Sequence, residues 1–201
     1  MQKDDIDQII KDDLKHLIHP QYFAPDHQEP IIFEKGKGAW LYDYNGKKYF
    51  DGLSSLWNVA VGHVREELAK AAYDQISKVA FTNNYTGFSN LPAIQLAKKI
   101  IELTYDNMQG VYFTNSGSES NEGALKTARF YWNLKGQPKK NKLIARQRAY
   151  HGGTLATSAM TGLPPFWKYF GPLPKEIIHA EGESRDGEEL NSDGETASWV
   201  E

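Results

Sequence analysis

Residues 111–121, VYFTNSGSESN, pass from an apolar run into a small polar turn and then into a helical pattern. This predicts a short strand over 110–114 and a helix over 119–134, joined by the turn. Ser116 stands three residues before Glu119, the spacing of a capping box. A helix start of this kind presents unpaired backbone N–H groups at the positive end of the dipole, and Gly117 has no Cβ to block a close anion. The expected ligand is a phosphate. The competing reading is that Ser116 does no more than cap a structural helix.

Downstream, 142–146 is a second short apolar run and 152–160 carries a helical pattern. The turn AYHGGT (149–154) follows that strand and is expected at the same sheet edge as the first turn. Tyr150 is suited to stacking flat on an aromatic ligand ring, and Gly152 and Gly153 give such a ring room. Packing is the alternative role for Tyr150. Upstream, 65–79 and 92–103 are helical, the second with Pro92 in its first turn. Ala39–Asp43 and Lys47–Asp51 flank Asn45-Gly46, which predicts a hairpin with a type I′ turn. Ile6, Ile9, Ile10, Leu14, Leu17 and Ile18 mark one face of an N-terminal helix that Pro20 stops. The β-α-β-α succession predicts an α/β fold with a largely parallel sheet, whose ligand crevices lie at the strand carboxyl ends.

Composition narrows the chemistry. The chain has 201 residues, 40% of them apolar, which is enough for a sizeable core or two small domains. It has no cysteine, which excludes disulfides, thiolate nucleophiles and cysteine zinc sites, and no metal site is predicted. No apolar run approaches the roughly 20 residues of a membrane span, and the opening MQKDDIDQII has no signal-peptide pattern, so a soluble cytoplasmic protein is expected. A net charge of -3 gives no reason to expect nucleic acid. Residues 181–201 carry Glu181, Glu183, Asp186, Glu188, Glu189, Asp193, Glu195 and Glu201 against Arg185 alone, and this acidic tail is expected to be disordered.

Three blocks in order, YFDGLSSLWNVAVGH (49–63), YFTNSGSESNEGALKTARFYW (112–132) and AYHGGT (149–154), resemble the class III aminotransferases. These are pyridoxal-phosphate enzymes of fold type I, and the likeness is to the ω-amino acid and amine:pyruvate transaminases among them. The resemblance runs from about residue 5 to about residue 180. It implies that 1–60 is the N-terminal segment of the small domain and 61–180 the first part of the large domain that binds pyridoxal 5′-phosphate. It further implies that Gly117 and Ser118 donate to the cofactor phosphate while Ser116 and Asn121 shape the turn. Tyr150 matches the residue stacked on the pyridine ring. His151 and Gly152 belong to the same motif, with His151 expected to be a local hydrogen-bonding residue. Trp57 matches an aromatic wall of the substrate pocket, and Tyr85 falls where the family places another pocket aromatic.

The implied reaction moves an amino group from an amine to a keto acid such as pyruvate, with a lysine holding the cofactor as a Schiff base and later moving the proton. A homodimer is the implied assembly. That lysine is not identified in this sequence, since Lys168 and Lys175, the lysines after Tyr150, lack the family's context. The aspartate facing the pyridine nitrogen and the arginine for carboxylate substrates are not identified either. The expectation is therefore an N-terminal portion, roughly two fifths of a family member, inactive by itself. The alternative expectation is a non-catalytic remnant that binds a phosphate-bearing cofactor or pairs with an intact member. Aminomutases and decarboxylases share the phosphate turn, but Trp57 together with Tyr150 favours transamination of amines.

Overall fold

The computed structural model describes residues 3–20, 23, 25 and 28–180. The acidic tail predicted over 181–201 lies outside them. The chain divides into two compact units, Met1–Ile94 and Gln95–Glu201.

The first unit opens with α1 (Lys3–His16). The helix ends before Leu17 and Ile18, which the periodicity had placed on its face. A three-stranded antiparallel meander follows, β1 (Phe33–Lys37), β2 (Trp40–Asp43) and β3 (Lys48–Phe50). The β2–β3 hairpin falls where Asn45-Gly46 predicts one, with Trp40 opposite Phe50 and Leu41 opposite Tyr49.

The turn type differs from the expectation. Gly46 alone takes a positive φ, 80°, and its N–H donates to Asp43 O at 2.9 Å, while Asp43 N donates to Lys47 O at 3.0 Å. This is a type I turn closed by a glycine bulge. The reason is Asp43, whose buried carboxylate accepts from Asn45 N and Lys47 N at 2.9 Å and from the Tyr49 hydroxyl at 3.0 Å. A right-handed turn gathers those donors around one acceptor.

Next comes α2 (Ser54–Trp57), a single turn wound the wrong way. Ser54, Ser55, Leu56 and Trp57 have φ of 49°, 47°, 57° and 64°. Left-handed backbone costs an L-residue about 1–2 kcal/mol, and outside glycine it is visited singly. Four in succession therefore need support from outside the turn. α3 (Glu66–Ile76) and α4 (Leu91–Leu103) match the predicted helices. Asn90 Oδ1 accepts from Ala93 N at 3.0 Å and so begins α4, which continues into the second unit.

The second unit contains α5 (Gly117–Leu134), β4 (Leu143–Arg146), α6 (Leu155–Met160) and β5 (Ile177–Ala180). β4 and β5 pair in parallel, Leu143 opposite Ile177 and Arg146 opposite Ala180, with α6 between them in sequence. The parallel α/β element expected from the alternation is present here. The strand predicted at 110–114 is not: the segment has no ladder partner among the described residues. An apolar run becomes a strand only when a neighbour accepts its hydrogen bonds.

The core is smaller than composition suggests. Among the described residues the buried apolar side chains are Leu125, Ala145, Ala159 and Met160, all in the second unit. Three of them sit where α6 meets β4. Gly162 permits this contact, because a Cβ there would come within 2.6 Å of Gln147 Cα at the end of β4.

Candidate functional site

Ser116 is the N-cap of α5, with extended backbone and its Oγ accepting from Glu119 N at 3.1 Å. The capping box is completed one residue early, since Glu119 Oε2 accepts from Asn115 N at 2.8 Å and from Asn115 Nδ2 at 3.1 Å. Ser120 N makes the first bond to Ser116 O. The amides of Gly117 and Ser118 have no acceptor among the described residues. They open an 18-residue helix, where the dipole favours an anion.

The second turn closes onto the first through three side chains of α5. Ser118 Oγ accepts from Gly153 N at 3.1 Å, and Asn121 Nδ2 donates to His151 O at 2.8 Å. Glu122 Oε1 accepts from Thr154 Oγ1 at 2.6 Å and from Ala156 N at 3.2 Å, thereby helping to start α6. Positions 118, 121 and 122 lie on one helical face. Two turns predicted to share a sheet edge are thus joined instead by direct hydrogen bonds from α5.

Thr161 fixes the second turn from beneath. It is fully buried, accepts from His151 N at 2.9 Å, and its Oγ1 lies 3.1 Å from Gly152 O and 3.0 Å from Thr157 O. Gly152 has φ 137°, and a Cβ there would lie 2.5 Å from Ser118 Oγ and 2.7 Å from Thr157 Cβ. Only glycine fits between the turns. By contrast, a Cβ at Gly117 would meet nothing within 4 Å.

Tyr150 projects from this assembly, 59% exposed, with its ring 5.4 Å from that of Phe166 and tilted by 58°. His151 forms its bonds through the backbone. Its ring Nε2 is buried without a partner among the described residues. The predicted residues Ser116, Gly117, Ser118, Asn121, Tyr150, His151 and Gly152 are therefore brought together within the second unit. Trp57 and Tyr85 belong to the first unit, 76% and 80% exposed.

Sequence reasoning missed Glu122 and Thr161. A lone acid on a helix reads as solvated surface, and a lone threonine after an apolar stretch reads as filler. The signal available for Glu122 was its spacing from Ser118 and Asn121. The free amides at the start of α5 and an exposed aromatic ring on the linked turn fit a phosphate attached to a flat heterocycle.

The Aminotransferase class-III family model matches residues 22–199. The chain belongs to this family. Class III aminotransferases depend on pyridoxal 5′-phosphate and have fold type I, which this chain matches over a partial, N-terminal segment. The vanillin aminotransferase of Capsicum frutescens is 40% identical over 154 residues, covering 76% of this chain and 34% of that protein. The adenosylmethionine-8-amino-7-oxononanoate aminotransferase of Staphylococcus aureus is 40% identical over 182 residues, covering 88% and 40%. An (S)-enantioselective omega-transaminase from Thermomicrobium roseum superposes with a TM-score of 0.86 at 39% identity, covering 93% of this chain and 43% of its own. An omega transaminase from Pseudomonas jessenii, solved in complex with PMP, gives 0.86 at 35%, covering 92% and 41%. The class III chain thus spans between a third and two fifths of the length of these curated relatives.

Proposed function

We propose that this chain carries the phosphate-binding and ring-stacking part of an amine or ω-amino acid transaminase that delivers nitrogen to a keto acid such as pyruvate. The supporting observation is the junction of the two turns, with Gly153 N–H on Ser118 Oγ beside the Gly117 and Ser118 amides, which have no acceptor among the described residues. In this reading the amides of Gly117 and Ser118 hold the phosphate of pyridoxal 5′-phosphate. Ser118 Oγ already accepts from Gly153, so its own proton is free to donate to that anion. Ser116 and Asn121 fix the two turns, and Gly152 keeps them in contact. Tyr150 lies against the ring, while Trp57 and Tyr85 supply aromatic faces toward the amine.

When bound, the pyridine ring of the cofactor acts as an electron sink for charge developing at the amine carbon. The residues of this chain then bind and orient it. The proton-moving lysine is not among the residues assigned here, so these 201 residues are expected to bind cofactor without turning over. The intact family enzyme is read as a homodimer.

Equilibrium dialysis of the purified chain against pyridoxal 5′-phosphate, with inorganic phosphate as competitor, tests this reading. Binding relieved by phosphate is expected, with no borohydride-reducible adduct on Lys168 or Lys175 and no amine-to-pyruvate transfer. Absence of binding overturns the cofactor assignment. An adduct on either lysine accompanied by transfer overturns the expected inactivity.

A further inference from the structure

Asp51 is the point on which the left-handed turn hangs. Its Oδ1 accepts from Ser55 N at 2.8 Å, and its Oδ2 accepts from Ser55 Oγ at 2.9 Å and from His63 Nε2 at 2.8 Å. Both ionisable side chains are largely enclosed, His63 at 16% and Asp51 at 8% exposure. The serine and the histidine both point at the carboxylate, so neither activates the other as a nucleophile.

Asp51 and His63 are both tied to the link between β1 and β2. Asp51 N donates to Ala39 O at 2.9 Å, and His63 exchanges two backbone bonds with Gly38, at 3.1 and 2.8 Å. The imidazole lies so close to β1 that a Cβ on Gly36 would come 2.8 Å from His63 Cβ and Cγ. Both partners of the pair therefore start from fixed backbone. From there the connection runs through Ser55 into α2, where Asn58 Nδ2 donates to Ser55 O and Leu56 O at 3.0 Å. Trp57 is the last residue of that turn and projects outward from it.

We infer that Asp51 and His63 are positioning residues: the His63–Asp51–Ser55 chain holds Ser54–Trp57 in its left-handed winding and thereby fixes the face that Trp57 offers to the amine. The amine-facing role of Trp57 rests on the functional reading above. The latch itself does not. Without it, the four residues relax toward right-handed or extended backbone, and the indole swings with them.

The test is NMR on the full 201-residue chain, read at Ser54–Trp57. Positive φ shortens the distance from each amide proton to its own Hα, so strong intraresidue cross-peaks mark the left-handed turn. His63→Phe keeps a ring against Gly36 and removes the donor. It is expected to abolish those cross-peaks and to speed amide exchange at Ser55 by about tenfold. His63→Gln, which restores an N–H donor, is expected to recover both signals at least in part, and Ser55→Ala to lose less than His63→Phe. Unchanged cross-peaks at Ser54–Trp57 in His63→Phe overturn the inference, as does loss that His63→Gln fails to reverse at all. Because this readout needs neither cofactor nor turnover, its failure is distinct from failure of the dialysis.

Discussion

Gly152 lies against Ser118 so closely that one added carbon would stand 2.5 Å from the serine Oγ. Gly152→Ala is therefore expected to push the two turns apart, at a cost of about 1–3 kcal/mol from overpacking and left-handed backbone. Chemical denaturation reads the loss of stability, and dialysis reads a parallel loss of cofactor. Retention of both at wild-type levels would contradict the junction.

Gly117→Ala gives the opposite combination. Its Cβ meets nothing, so the unfolding free energy should stay within about 0.5 kcal/mol of wild type. If the proposed phosphate site is right, the added methyl should weaken anion binding. Phosphate competition in the dialysis assay is the measurement. A variant with lowered stability and intact binding would reverse this expectation.

Glu122→Ala removes the acceptor shared by Thr154 Oγ1 and Ala156 N at the start of α6. The site is only partly buried, so water replaces part of the loss, and about 1 kcal/mol is expected. Exchange at the Ala156 amide should rise more than at amides in the middle of α5. Equal change in both would mark general loosening.

Asp43→Ala should be the more damaging change in the meander. It strips one buried acceptor from Asn45, Lys47 and Tyr49 together, and about 2–3 kcal/mol is expected. Asp43→Asn keeps one acceptor oxygen and should cost less. Thermal unfolding of the two variants orders them.

Asp51 gives a pH dependence with a definite sign. Hydrogen bonding from the Ser55 backbone, followed by the His63 side chain, holds its carboxyl below the usual value of 3.8. A depressed folded value means the stabilisation is complete above 3.8 and is lost as pH falls below it, through the lower folded value. The cross-peaks of Ser54–Trp57 should therefore persist from neutral pH down to about pH 5 and fade in stronger acid. Fading between pH 8 and pH 6 would assign the latch to another group.

How far these features were legible follows from what each depends on. The helices at 66–76, 91–103 and 117–134 show in the sequence because periodicity and caps are local. The local form of the two turns was equally visible, since a serine cap and paired glycines act through their own backbone. The hairpin was found at Asn45-Gly46, but its turn type was set by the side chain of Asp43, which a dipeptide rule does not weigh. β1 was missed because FEKGK neither alternates nor carries much apolar weight. The 110–114 run reads as a strand, yet pairing is a property of two segments. Glu122 and Thr161 matter through partners about 30 and 10 positions distant, a relation that no local pattern encodes.

The carboxylate of Asp43 also bears on the order in which the molecule assembles. Its turn closes over a handful of residues and gathers its own donors, so β2 and β3 can zip together on the microsecond scale typical of hairpins. β4 and β5 must wait until the whole of α6 and the Pro164–Phe166 turn have been drawn in between them, since parallel partners cannot meet through a short loop. The meander is thus expected to gain protection first in pulsed hydrogen exchange, leaving the turns at Ser116–Ser118 and Tyr150–Thr154 as the late-arriving half of the chain.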